Sequence, residues 1–217
     1  MRVLAATVDA GGNTPPTLAV LRELAGRGHE VQALAHGAQQ TDLALAGAAA
    51  RPWTSPRPWD PRPARPGARS LLAWLGLASD PGYGRDLRAA ALAGRPDVVL
   101  VDCMIPGALR GARAAGAPVA VLAHAFSDYW YDQWAGRSPM ALWQRTRGCS
   151  PLQPSNAPDL FVLTTSADLD DAERLRRAAG GAVAQVGPVL PRTTRAPADE
   201  QARGPLLVSL STIGYPG

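Results

Sequence analysis

Apolar residues are distributed along this chain in two alternating rhythms. Short continuous apolar runs occur at Arg2–Val8, Glu30–Ala35, Asp97–Val101, Val119–Ala123, Asp159–Thr164 and Ala182–Val186. Runs of that length, bounded by Gly, Pro or acidic residues, predict strands buried on both faces. Between the first two, Pro15 and Pro16 stand where an opening helical turn tolerates proline, and Leu18, Leu21, Leu24 and Ala25 form one apolar stripe. Gly28 follows as a left-handed C-terminal stop, which completes a strand–helix–strand unit. Helical patterns recur at Gly84–Ala93, Ile105–Ala115 and Asp170–Ala179. Strands separated by helices predict the α/β class with a doubly wound, Rossmann-like parallel sheet.

Two segments break the rhythm. Residues 51–70 carry six prolines with Trp53 and Trp59 among them, and irregular structure is expected there. Residues 126–143 hold Phe126, Tyr129, Trp130, Tyr131, Trp134 and Trp143, half of the twelve aromatics of the 217-residue chain. Aromatic walls suit a flat, mostly apolar ligand, so Phe126, Tyr129, Trp130 and Trp134 are candidates to line a pocket. Trp143 is expected in the core, and Trp53 and Trp59 are expected to close over the same pocket.

The formal charge of +4 suggests a nucleic-acid binder only until it is located. Residues 51–69 hold five arginines against Asp60 alone, so the rest of the chain is neutral. There is no lysine, which excludes a Walker A lysine and Schiff-base chemistry. No run reaches the roughly 18 apolar residues of a membrane span. Met1–Asp9 is interrupted by an acid and two glycines before a signal h-region could form. A cytoplasmic protein with two reduced cysteines, Cys103 and Cys149, is expected. With three histidines they show no ligand spacing, so neither a metal nor a cofactor is expected.

A doubly wound sheet binds ligands beyond the C-terminal ends of its strands. The loop after the first strand, Asp9-Ala-Gly11-Gly12-Asn13-Thr-Pro-Pro, lets the backbone approach a ligand closely but lacks a dinucleotide fingerprint. This loop, the following Leu24-Ala-Gly-Arg-Gly28-His-Glu-Val31, Asp97-Val-Val-Leu-Val-Asp102 with Pro106, Val186-Gly-Pro188, and Val208-Ser-Leu-Ser-Thr212 occur together in order. In these features the chain resembles the N-terminal domain of GT-B glycosyltransferases, the two-Rossmann-domain enzymes that decorate bacterial natural products. The resemblance implies an acceptor domain over 1–187, a linker over 188–204, and at 205–217 the opening strand of a nucleotide-sugar domain. It implies inverting, metal-independent transfer from a nucleoside-diphosphate sugar, a co-substrate rather than a cofactor, to a hydroxyl of an apolar aglycone in antibiotic-type secondary metabolism. Gly11 and Gly12 would then border the acceptor, and Ser211 and Thr212 the donor. A chain stopping shortly after its opening donor strand is expected to bind an acceptor and to be inactive alone. No nucleic-acid or membrane partner is implied, and a homodimer is left open.

The departure from that family lies at its catalytic centre. Relatives place a histidine base where this chain has Asn13, and an amide does not accept a proton at working pH. Asp102 matches the carboxylate that orients this base. Three readings stand: a substitute base among Asp9, His124 and Asp128; an acidic acceptor that Asn13 merely positions; or lost or helper-dependent activity. Plainer roles stand beside them. His29 is expected to be structural, His36 solvated, Asp170 or Asp171 a helix cap, and Asp102 a cap for the helix near Ile105. From a different class, a non-catalytic binding module could use the Arg/Trp/Pro loop to hold an anionic or nucleic-acid partner.

Overall fold

A computed structural model describes residues 1–60 and 68–189. The expected linker from Leu190 onward, the strand at 205–211, and Ser211 and Thr212 lie outside the described residues.

The chain forms β1 (Arg2–Ala6), α1 (Thr14–Gly26), β2 (Glu30–Ala35), α2 (Gln40–Leu45), β3 (Ala49–Pro52), α3 (Ala68–Ser79) and α4 (Pro81–Gly94). These are followed by β4 (Val98–Asp102), α5 (Leu109–Ala114), β5 (Val119–Ala123), α6 (Ser127–Trp130), α7 (Pro139–Thr146), β6 (Leu160–Leu163), α8 (Glu173–Ala178) and β7 (Ala182–Gln185). The seven strands make one parallel sheet in the order β3-β2-β1-β4-β5-β6-β7. The order reverses between β1 and β4, which is the topological switch point where such sheets bind ligands.

Both faces of the sheet are buried, because alternate residues of each strand enter two separate cores. Leu4, Ala6, Val99, Val101, Val121 and Phe161 face one. Val3, Ala5, Val31, Leu100 and Leu122 face the other, under α1 and α2. This two-sided burial explains why the strand segments read as unbroken apolar runs. At the end of α1, Gly28 takes a φ of +79° and its N–H bonds to the Ala25 carbonyl, as the C-terminal glycine implied. Helices α4 and α5 pack backbone against backbone. A Cβ on Gly111 would lie 1.9 Å from the Gly84 carbonyl oxygen, so the contact requires glycine there.

The departures from the sequence reading have local causes. β3 runs through Arg51 and Pro52 into the proline-rich segment, and an edge strand tolerates proline because one side of its backbone is unpaired. The expected helix at 105–115 divides into a 3-10 turn, Pro106–Ala108, and α5. The helix expected from Asp170 begins at Glu173, after Ala172 turns the chain at a φ of +55°. Asp171 accepts from the Glu173 N–H there, as a cap does. Asp170 instead accepts from the Ser127 N–H and hydroxyl and from the Thr165 hydroxyl, tying the loop after β5 to the loop after β6.

Candidate functional site

At the switch point the loop after β1 meets the end of β4 through a buried polar knot. Asn13 is 1% exposed and Asp102 2%. The Asn13 amide donates to Asp102 Oδ2 at 2.5 Å and to the Val8 carbonyl at 2.7 Å, while its oxygen accepts from the Ala10 N–H at 3.0 Å. Both amide donors are therefore consumed in folding the loop. This also explains why Asn13 precedes α1 without a side-chain cap bond. Its side chain faces inward and has one oxygen lone pair uncommitted.

Asp102 is the hub of the knot. Oδ2 also accepts from the Thr7 hydroxyl at 3.3 Å, and Oδ1 accepts from the Met104 N–H at 2.9 Å and meets His124 Nε2 at 3.1 Å. The carboxylate thus turns the chain after β4 and also joins β1, β4 and β5. The same His124 nitrogen lies 3.4 Å from Cys103 Sγ. Burial opposes charge on this ring, but Cys103 and Asp102 beside it outweigh that effect and push its pKa up to about 11. A ring held as the cation donates its proton, so the arrangement supports an Asp102–His124 ion pair more directly than a His124 base. Asp102, Cys103 and His124, which show no ligand spacing along the chain, offer ligand atoms within 4.8 Å of one another. Spacing along the chain did not reveal this, because the cluster is made by pairing β4 with β5.

A second cluster surrounds Asp9. The Asp9 N–H donates to His36 Nδ1 at 3.3 Å, and the Asp9 carbonyl accepts from the Trp59 indole at 2.6 Å. Because Nδ1 accepts, the ring proton sits on Nε2, which meets the Tyr83 hydroxyl at 3.3 Å. Burial lowers the pKa of His36 against the pull of the Asp9 charge. His36 is therefore a half-buried structural partner, not the solvated loop residue expected. Burial, aided by the Asp80 charge, raises the pKa of Tyr83, which stays a neutral phenol. With both backbone groups of Asp9 fixed, its half-exposed carboxylate accepts from Gly11 N–H at 3.4 Å through Oδ1. Gly11, at a φ of +85°, and exposed Gly12 complete this loop edge.

Trp59 and Tyr83, with Leu72 and Leu77, line a cavity of about 140 Å³ bordered by the Arg57–Asp80 ion pair at 3.3 Å. This holds one ring rather than a whole aglycone, since small-molecule pockets run to roughly 300–1,000 Å³. Trp53 stands beside it, its indole donating to the Thr7 carbonyl at 2.9 Å and its ring edge-on to Tyr83. Sequence reasoning placed His36 in solvent and missed Tyr83. The signal for Tyr83 was Asp80-Pro81, a cap followed by a first-turn proline, and Asp80 does accept from the Gly82 N–H.

The aromatic segment is divided. Trp130 and Trp134, expected as pocket walls, are 1% and 6% exposed and belong to the core, with Trp130 edge-on to Phe161. Their spacing of four puts them on the same inward side of the helical turns. Trp143, expected in the core, is 41% exposed and donates to the Ser79 hydroxyl. Phe126 and Tyr129 remain at the surface, 54% and 61% exposed. Asp128 is also exposed, and its ion-pair partner at 3.5 Å is Arg174 rather than a group of the first loop.

The sequence signature of Glycosyltransferase Family 4 matches residues 17–180. No curated protein matches the sequence significantly. Among solved structures, the glycotransferase of kitacinnamycin aligns with a TM-score of 0.62 and 21% identity over 91% of this chain and 55% of its own. CalG4, the calicheamicin glycosyltransferase, aligns with 0.57 and 18% over 86% and 52%. UGT89C1 of Arabidopsis thaliana, complexed with UDP, aligns with 0.66 and 16% over 88% and 50%. The chain spans about half the length of these structures, and at these identities the likeness shows the fold, that of a GT-B N-domain. With the family signature extending over most of its length, the chain belongs to Glycosyltransferase Family 4.

Proposed function

We propose that residues 1–187 are the acceptor domain of an inverting sugar transferase acting on an apolar natural-product aglycone. Residues 188–204 would then be a linker, and Ser211 and Thr212 would lie on the donor side. Two of the solved relatives carry the names of natural products and a third was complexed with UDP, which supports this choice of substrates. Two free, buried cysteines suit a cytoplasmic setting. Among the described residues, no helix is long and apolar enough to cross a membrane.

The observation that carries the reading is the fixing of the Asp9 backbone by two residues that line the cavity. Trp59 holds its carbonyl directly, and Tyr83 reaches its N–H through His36. In this reading an aglycone ring against Trp59 and Tyr83 would carry its hydroxyl toward Asp9, whose backbone these residues hold. As that oxygen attacks the anomeric carbon, the carbon–phosphate oxygen bond breaks and the diphosphate leaves with the electron pair. The hydroxyl proton passes to Asp9, and the single displacement inverts the carbon. General base catalysis of this kind contributes typically 10²–10⁴-fold, and no metal is needed for the step.

In the whole enzyme, Asp9→Asn is expected to lower turnover by roughly 10²–10⁴-fold. Acceptor binding, followed by tryptophan fluorescence on the 217-residue chain, should be nearly unchanged. Undiminished turnover in Asp9→Asn would remove Asp9 from the reaction. A product retaining the donor's anomeric configuration, read by NMR coupling constants, would remove the single displacement.

A further inference from the structure

We infer that Asp102, Cys103 and His124 form a binding site for one borderline-soft divalent cation of the zinc class. The site is built by the sheet itself. Asp102 ends β4, Cys103 follows it, and His124 follows β5, with Asp102 in register with Leu122 of the neighbouring strand. A carboxylate, a thiol and an imidazole are thereby delivered to one point beside the switch, and these are the three ligand types zinc takes.

The His124–Cys103 distance suits a shared ion, and the His124–Asp102 distance is a few tenths of an ångström short of one. With zinc–sulfur near 2.3 Å and zinc–nitrogen or zinc–oxygen near 2.0–2.2 Å, tetrahedral ligands lie about 3.4–3.6 Å apart. His124 Nε2 is 3.4 Å from Cys103 Sγ and 3.1 Å from Asp102 Oδ1. A single N–H on Nε2 cannot point well at both acceptors, whereas a cation between the three serves all of them. The support expected of a metal site is also present. The Asn13 amide and the Thr7 hydroxyl hold the other carboxylate oxygen, and the Met104 N–H fixes Oδ1.

Asp102 and Cys103 are buried, and the His124 side chain is 12% exposed, so the histidine edge is the way in for the ion and for a water in its fourth position. The bound cation would link β4 to β5 and, through Asp102 and Asn13, stiffen the first loop. It takes no part in the proposed transfer step, so success or failure of that reading leaves this one standing.

Cobalt(II) and zinc titrations of the untagged 217-residue chain test the site. Cobalt is expected to bind one per chain, with a thiolate-to-cobalt charge-transfer band and the intense visible bands of tetrahedral geometry. Cys103→Ser and His124→Gln should abolish those bands, and Cys149→Ser should leave them intact. Asn13→Ala, which removes the amide that supports Asp102 and folds the first loop, should weaken zinc binding by roughly 10–100-fold. Native mass spectrometry of the unaltered chain provides a readout that needs no variant: a single retained zinc supports the site. Absence of a retained zinc, weak octahedral cobalt bands, or a spectrum unchanged in Cys103→Ser would each overturn it.

Discussion

Two aromatic regions of this molecule look alike in sequence and are used in opposite ways. In Phe126–Trp143 the large rings at helical spacing, Trp130 and Trp134, are absorbed into the core. In the loop of Trp53 and Trp59, proline-rich and without helical spacing, the rings stay half-buried and each indole N–H binds a carbonyl of the segment after β1. The difference follows from backbone regularity. A helical turn presents residues four apart to the same neighbour, so a hydrophobic pair is drawn inward together. An irregular loop has no repeating face, and its tryptophans are positioned one by one through their polar edges. The consequence is that the pocket forms on the loop side.

The sharpest way to break this comparison is to truncate one ring on each side. Trp130→Ala should cost about 3–5 kcal/mol of stability, the usual loss for a large aromatic removed from a core. Tyr129→Ala, its 61% exposed neighbour, should stay within about 0.5 kcal/mol. Chemical denaturation measures both. Comparable losses for the two would mean that the helical-spacing argument misassigns the inward face.

A smaller effect is expected on the loop side. Trp59→Phe keeps an apolar ring for its edge-on contact with Trp74, at a centroid distance of 4.7 Å, and deletes the indole N–H to Asp9 together with part of the ring's bulk. The stability cost should be about 0.5–1.5 kcal/mol, the net worth of one hydrogen bond. If the loop positions Asp9 as proposed, turnover in the whole enzyme should fall more than stability does. A variant that loses stability while keeping turnover would reduce Trp59 to packing.

The same contrast explains what the sequence disclosed. Six of the seven strands and most long helices were legible because parallel strands buried on both faces give unbroken apolar runs, and because Pro15 and Gly28 punctuate α1; the edge strand β3, largely exposed, gave no such run. Helix α3 was not read in advance, since it begins at the edge of a proline- and arginine-rich stretch and its Leu71 and Leu72 are exposed. For the candidate site, the first loop and Asp102 could be placed from strand ends alone. The partners of Asp102 could not, because His124 and Cys103 reach it only through the β4–β5 pairing. Nor could the direction of Asn13 be read: whether a loop amide turns inward depends on three backbone and side-chain groups that come together only when the sheet forms.

The smallest expected effect concerns pH, and it separates the two regions because the aromatic segment contains no histidine. Burial holds the His36 pKa below its ordinary value of 6.5, so the unfolded chain binds this proton more tightly than the folded one does. Stability from neutral His36 is therefore complete above 6.5 and declines as pH falls below it. Asp9 and Tyr83 are the groups facing the ring, and Tyr83 stays neutral throughout this range. Protonating Nδ1 removes the acceptor for the Asp9 N–H, so the loss should appear first at Asp9. Hydrogen-exchange protection of the Asp9 amide, corrected for the intrinsic pH dependence of exchange, should fall as pH drops below 6.5. Protection of the Trp130 amide, bonded to the Phe126 carbonyl at 2.9 Å, should hold over the same interval. In His36→Gln the Asp9 response should flatten. A parallel decline at both amides would show a global change and would detach His36 from the pocket loop.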